Sequence, residues 1–218
     1  MRRNILVLFL RFPMLGQGKT RLANDIGSAA AVSFQRHSIA RLIRNLNGSK
    51  RWELRLLMTP DLARYEMPFA PLVPLPQGGG SFGERLFHIF SLFPGANIMI
   101  IGSDQPYLEA RNIAHAFKML GSHHAVIGPA KDGGFYLCGF APRPFSPFGA
   151  GRFSENPFRN IRFSTRFAGA DLLRNLKPYK TALLAPMEDV DCAASLKRAK
   201  AEALLNCRGG SFYQGGSG

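Results

Sequence analysis

From Ile5 to Leu10 the chain reads Ile-Leu-Val-Leu-Phe-Leu without a polar break, and Arg11-Phe12-Pro13 ends the run. A strand that alternates can leave one face in water. A strand that is apolar throughout must be covered on both faces, as in the middle of a helix-flanked sheet. Further strands are expected over Trp52 to Met58, Leu72 to Leu75, Asn97 to Ile101, Ala125 to Ile127, Phe135 to Phe140 and Thr181 to Ala185. Between them lie helical stretches. Lys19 to Leu46 is broken near Gly27-Ser28, and its second part places Val32, Ile39, Leu42, Ile43 and Leu46 on one face. Phe82 to about Leu92, Ala110 to Leu120, Arg166 to Leu176 and Ala193 to Leu205 complete the set. Strands alternating with helices predict an α/β fold, a mostly parallel mixed sheet covered by helices on both faces. The length of 218 residues suits one domain, residues 1–208, with Gly209 to Gly218 as a disordered tail.

In such a sheet, ligands bind beyond the carboxyl ends of the strands. Three loops fall there: Arg11 to Arg21, Gly102 to Leu108 and Gly128 to Gly134. The formal charge of +14, from 28 Lys and Arg against 14 Asp and Glu, attracts anions to whatever site these loops make. The basic residues are scattered and carry no nucleic-acid-binding motif, so an RNA-associated role rests on charge alone. The 3 cysteines, Cys138, Cys192 and Cys207, form no C-x-x-C pair and suit a reducing, cytoplasmic setting. The N-terminal apolar run is too short for a signal peptide, and no run spans a membrane.

The first loop, Met14-Leu15-Gly16-Gln17-Gly18-Lys19-Thr20-Arg21, follows a strand and opens a helix. It is not a P-loop, because Pro13 stands where that pattern needs glycine. Gly16, Gly18, Lys19, Thr20 and Arg21 can still cradle phosphate through backbone N–H groups and two cationic side chains. Asp104 directly follows a buried strand and can hold Mg²⁺ or Mn²⁺, or simply cap a turn. In Asp132-Gly133-Gly134 the glycines permit close approach of a substrate, and the same triplet is a hairpin signal. Asp189 and Asp191, two apart on extended chain, project to one side. Asp104, Asp132, Asp189 and Asp191 all fall at strand ends and suggest one acidic site. Gly78, Gly79 and Arg85 belong to a Gly-rich stretch that wraps a ligand or only links to the next helix. The phenylalanines of Pro144 to Phe158 suggest a partner surface or a lid.

Taken in order, four segments resemble small bacterial glycosyltransferase-like proteins of the nucleotide-diphosphosugar transferase superfamily, including those of arsenosugar biosynthesis. They are Phe12 to Leu22, Gly102 to Pro106, Gly128 to Gly139, and Asp189-Val190-Asp191. Phe163-Ser164-Thr165 looks like the family's Trp-Ser-Thr. More distantly the chain is similar to molybdopterin and phospholactate nucleotidyltransferases. The resemblance implies a GT-A, Rossmann-like architecture and a Mg²⁺-dependent enzyme that takes a nucleotide or nucleotide-sugar and a small anionic acceptor. It implies phosphate binding by the first loop, catalytic roles for Lys19, Arg21 and Asp104, and metal binding by Asp104, Asp189 and Asp191. Asp132, Gly133, Gly134, Ser164 and Thr165 would meet the substrate. The chain departs from the family at Ser81, where an acid is usual, and at Cys192, where threonine is usual. The loss at Ser81 motivates the alternative of a non-catalytic nucleotide- or phosphometabolite-binding module on the same fold.

Overall fold

The structure, a computed structural model, describes residues 2–60, 72–142 and 155–198. Its strands are β1 (Asn4–Arg11), β2 (Glu53–Thr59), β3 (Leu75–Pro76), β4 (Asn97–Ile101), β5 (Ala125–Pro129), β6 (Phe135–Phe140) and β7 (Thr181–Leu183). Its helices are α1 (Thr20–Ile26), α2 (Ser28–Leu46), α3 (Phe82–Leu92), α4 (Ala110–Met119) and α5 (Ala168–Asn175). The strands make one sheet in the order β3-β2-β1-β4-β6-β5-β7. Every neighbouring pair is parallel except those of β6, which runs antiparallel to both β4 and β5.

The unbroken apolar run of β1 serves two cores at once. Leu6, Leu8 and Leu10 pack with Ile39, Leu42 and Leu46 of α2 and Ile113 and Phe117 of α4. Ile5, Val7 and Phe9 face the opposite layer, with Leu86 and Ile89 of α3 and Leu172 of α5. Each such side chain contributes about 1.5–3 kcal/mol on leaving water, which makes this strand the axis of the fold. Trp52 stacks on Phe117 at 6.0 Å, and its Nε1 donates to Leu46 O at 2.8 Å, so the indole stays buried without an orphan donor. Gly27 parts α1 from α2 at φ 87°, a conformation open to glycine. At the head of α3 the Ser81 hydroxyl accepts from Glu84 N, and Ser81 N donates to the Glu84 carboxylate. This capping box satisfies two donors that the helix end would orphan.

Several boundaries differ from the sequence reading. The third strand shrinks to Leu75–Pro76, because Pro74 and Pro76 supply no N–H to a ladder. β5 reaches Pro129, α4 stops at Met119, α5 spans only Ala168–Asn175, and β7 ends at Leu183 ahead of Pro186. The last helix is seen over 193–198; its continuation to Leu205 and the tail from Gly209 lie outside the described residues. Phe158 is not on the surface expected of it: it is 2% exposed and packs against Phe90 and Phe140, while 143–154 lie outside the described residues. Among the described residues no helix is long and apolar enough to cross a membrane.

Candidate active site

A cavity of about 940 Å³ opens at the carboxyl ends of the central strands. The loop after β1 forms one wall, Ser103 and Asp104 after β4 the floor, and the β5–β6 hairpin the facing wall. The chain after β7 completes it. Its backbone is pinned on both sides, by Met187 N to Pro129 O at 3.0 Å and by Val190 N to Asp104 O at 3.1 Å. That pinning delivers Asp189 and Asp191 to loops that lie far from them in sequence.

Lys19 ties these pieces together. Its Nζ lies 2.6 Å from Asp104 Oδ1 and 3.0 Å from Asp191 Oδ1, and donates to Val190 O at 2.6 Å. The side chain is only 8% exposed. Burial pulls the Lys19 ammonium down, yet the charges and hydrogen bonds of Asp104 and Asp191 outweigh it and hold the group above its ordinary value. All three N–H donors are engaged, so in this arrangement Lys19 is a strut between acids rather than an open phosphate ligand. Arg21 also lines the cavity and has no carboxylate partner among the described residues.

The acids divide unevenly. Carboxylate oxygens of Asp132, Asp189 and Asp191 lie within 4.8 Å of one another. Asp104, expected among the metal ligands, stands outside this cluster and takes the Lys19 ammonium, as Asp191 also does, while Asp132, expected at the substrate, stands within it. Asp189 is pushed up to about 6, first by burial and then by the charge of Asp104, with Asp132 and Asp191 adding; the 2.5 Å hydrogen bond from Gln105 opposes this. Three hard oxygen donors that repel one another suit a hard divalent cation. The Asp132-Gly133-Gly134 triplet is indeed the turn of a hairpin, with Ala130 N donating to Gly134 O at 3.0 Å. The same turn presents Asp132 to the acid cluster.

The remaining wall is basic and aromatic. Gln77 is buried and donates to Leu10 O at 2.8 Å and Leu57 O at 3.2 Å, capping the ends of β1 and β2. Its Oε1 accepts from Arg85 Nη1 at 2.8 Å, which fixes Arg85 on the cavity with its guanidinium 5.5 Å above the Phe82 ring. Arg85 Nε is buried with no hydrogen-bond partner among the described residues. Phe82 meets Phe163 edge-on at 4.8 Å.

Of the residues singled out from sequence, Gly18, Thr20, Ser164, Thr165 and Gly134 also line the cavity. Gly16 faces an adjoining recess of about 130 Å³ behind the first loop. Gly78, Gly79 and Gly133 line neither. Gly78 turns at φ 84° beneath His88, and Gly133 abuts the backbone of Arg166. Sequence reasoning passed over Gln77, Tyr136 and Arg166. Gln77 could have been noticed as the polar residue between a strand and a Gly-rich turn; Arg166 had no local signal.

Residues 42–165 match a family described as an uncharacterized protein conserved in bacteria, DUF2064. The chain belongs to that family. No curated protein matches it. Among solved structures, the DUF2064 chain is similar to a candidate nucleotide-diphospho-sugar transferase from Desulfovibrio desulfuricans G20. The two are 23% identical with a TM-score of 0.79, over 100% of this chain and 92% of that one. It is similar to a CMP:2-keto-3-deoxy-manno-octonic acid synthetase complexed with CTP, at 12% identity and a TM-score of 0.51 over 94% and 99%. A cytidylyltransferase from Leptospira borgpetersenii serovar Hardjo-bovis gives 10% identity and a TM-score of 0.52 over 98% and 100%. At these identities the likeness is one of fold, and the architecture is that of the nucleotide-diphosphosugar transferases.

Proposed function

We propose that the protein is a Mg²⁺-dependent transferase that uses a nucleotide-activated donor and a small anionic acceptor. The observation that carries this reading is the Asp132–Asp189–Asp191 cluster lining, together with Arg21 and Arg85, a cavity large enough for two small molecules. A divalent cation held by these acids would neutralise charge on donor phosphate oxygens. The chain's own residues do the rest. Lys19 clamps Asp104 and Asp191 in place, Arg21 meets phosphate, and the Gln77–Arg85 pair with Phe82 supplies a flat cationic and aromatic surface suited to a base. The names of the CTP-bound synthetase and the cytidylyltransferase, which share the fold, support a nucleotide as ligand. The single acid of Ser103-Asp104-Gln105-Pro106 favours nucleotidyl transfer, with pyrophosphate leaving. The placement beside glycosyltransferase-like proteins of the arsenosugar type, and a cytoplasmic setting, rest on the ordered motifs and cysteine usage alone.

Thermal unfolding against nucleoside triphosphates, diphosphates and nucleotide-sugars, each with Mg²⁺ and with EDTA, tests it. A ligand at one hundred times its dissociation constant stabilises the fold by about 2.7 kcal/mol. A Mg²⁺-dependent shift with triphosphates supports nucleotidyl transfer. A shift with one nucleotide-sugar and its diphosphate supports glycosyl transfer. No shift with any of them refutes the transferase reading and leaves the binding module.

A further inference from the structure

Beside the acidic hairpin the cavity is walled by the turn Ser164-Thr165-Arg166, of which Arg166 has no place in the reading above. Backbone contact enforces its position. Gly169 N donates to Gly133 O at 2.9 Å. A β-carbon on Gly133 would stand 2.1 Å from Arg166 O, so glycine is what lets hairpin and turn touch. Within the turn the polar groups are unequally used. The Thr165 hydroxyl donates to Arg162 O at 2.7 Å and accepts from Phe167 N at 3.2 Å. The Ser164 hydroxyl has no partner among the described residues, and its backbone sits at φ 60°, a left-handed conformation unusual for a side chain other than glycine.

Two guanidiniums flank the Phe167 ring, Arg162 at 4.3 Å and Arg166 at 5.0 Å from its centroid. Arg162 is committed to Asp171 by two hydrogen bonds of 2.8 Å. Arg166 has no carboxylate partner among the described residues and faces the cavity. A guanidinium held against a ring keeps a planar fork of N–H donors that matches a carboxylate or phosphate. The Arg166 backbone abuts Gly133, the neighbour of Asp132 in the chain.

We infer that Ser164 and Arg166 form a second anion subsite, which takes the oxyanion (carboxylate or phosphate) of the acceptor while the first loop takes the donor's phosphates. The word acceptor rests on the transferase reading; the subsite itself does not, and it is tested without a nucleotide. Isothermal titration of the full chain with inorganic phosphate, and separately with malonate, should show two anion sites. Arg21→Ala should remove one. Arg166→Ala should weaken the other by about tenfold or more, close to 1.4 kcal/mol, and Arg166→Lys, which keeps charge but not the fork, should fall between. Ser164→Gly accepts the left-handed backbone and so keeps the fold, yet should also weaken the second site. A preference for phosphate or for malonate identifies the anion. The inference is overturned if neither anion binds the unaltered protein, if Arg166→Ala leaves both affinities unchanged, or if one site is lost equally through Arg21 and Arg166. Nucleotides that fail to bind would sink the transferase reading and leave these titrations to decide the subsite.

Discussion

Replacing Lys19 with methionine keeps the aliphatic stem and deletes the ammonium between Asp104 and Asp191. Charge-assisted hydrogen bonds contribute about 1.5–3 kcal/mol each, and stripping one partner from a fully buried ion pair costs about 3–5 kcal/mol. Lys19 is buried, but Asp104 and Asp191 are 49% and 46% exposed and regain water once released. That solvation cuts the loss to about 2 kcal/mol. For a domain of this size a loss of about 2 kcal/mol lowers Tm by about 4–8 °C. The variant also leaves four carboxylates with less compensating charge, so saturating Mg²⁺ should raise its Tm more than it raises that of the unaltered protein. Scanning calorimetry of both proteins, with 10 mM EDTA and then with ~10 mM Mg²⁺, reads both effects. An unchanged Tm in EDTA together with lost nucleotide binding would refute the strut, and would return Lys19 to the phosphate role expected from its loop.

Other consequences are as direct. Gly133→Ala drives a β-carbon into Arg166 O and demands a side chain at φ +91°, so chemical denaturation should show a loss of about 2–4 kcal/mol. Ser81→Ala removes the capping box at about 1 kcal/mol, whereas Ser81→Asp, which restores the acid usual in the family, should hold stability within about 0.5 kcal/mol because aspartate caps as well. Asp171 is held well below the usual carboxylate range, chiefly by the hydrogen bonds from the Arg162 side chain and backbone. A depressed native carboxyl means that the unfolded chain binds the extra proton. Its stabilisation is therefore present above the ordinary carboxylate pKa and lost as pH falls below it, and Asp171→Asn should flatten that part of the acid unfolding curve.

The layers of the fold could be read from the chain because each rests on local pattern: an unbroken apolar strand such as Ile5 to Leu10 has to sit between two helical faces. The acidic site was legible for a related reason, since loops at carboxyl ends converge whatever the strand order. What could not be read depends on pairing across distance. Nothing near Lys19 announces Asp191, which is brought to it by a backbone bond from Val190 to Asp104. The reversed β6 was hinted at only by the hairpin triplet, and its insertion beside β4 has no local signature. Gln77 meets its carbonyl partners only once β1 and β2 lie side by side. Arg166 gains meaning from Gly133, 33 residues earlier, whose missing side chain leaves room for it.

The insertion of β6 between β4 and β5 sets an order of assembly. A ribosome releases β1, β2 and β4 well before β6, so the parallel half of the sheet emerges with an open edge at β4 that only a later hairpin can close. The same hairpin carries Asp132, and the chain that follows carries Asp189 and Asp191. A growing chain therefore has no Asp132–Asp189–Asp191 cluster until the sheet is sealed, and on the proposed reading a cation held there would report finished folding.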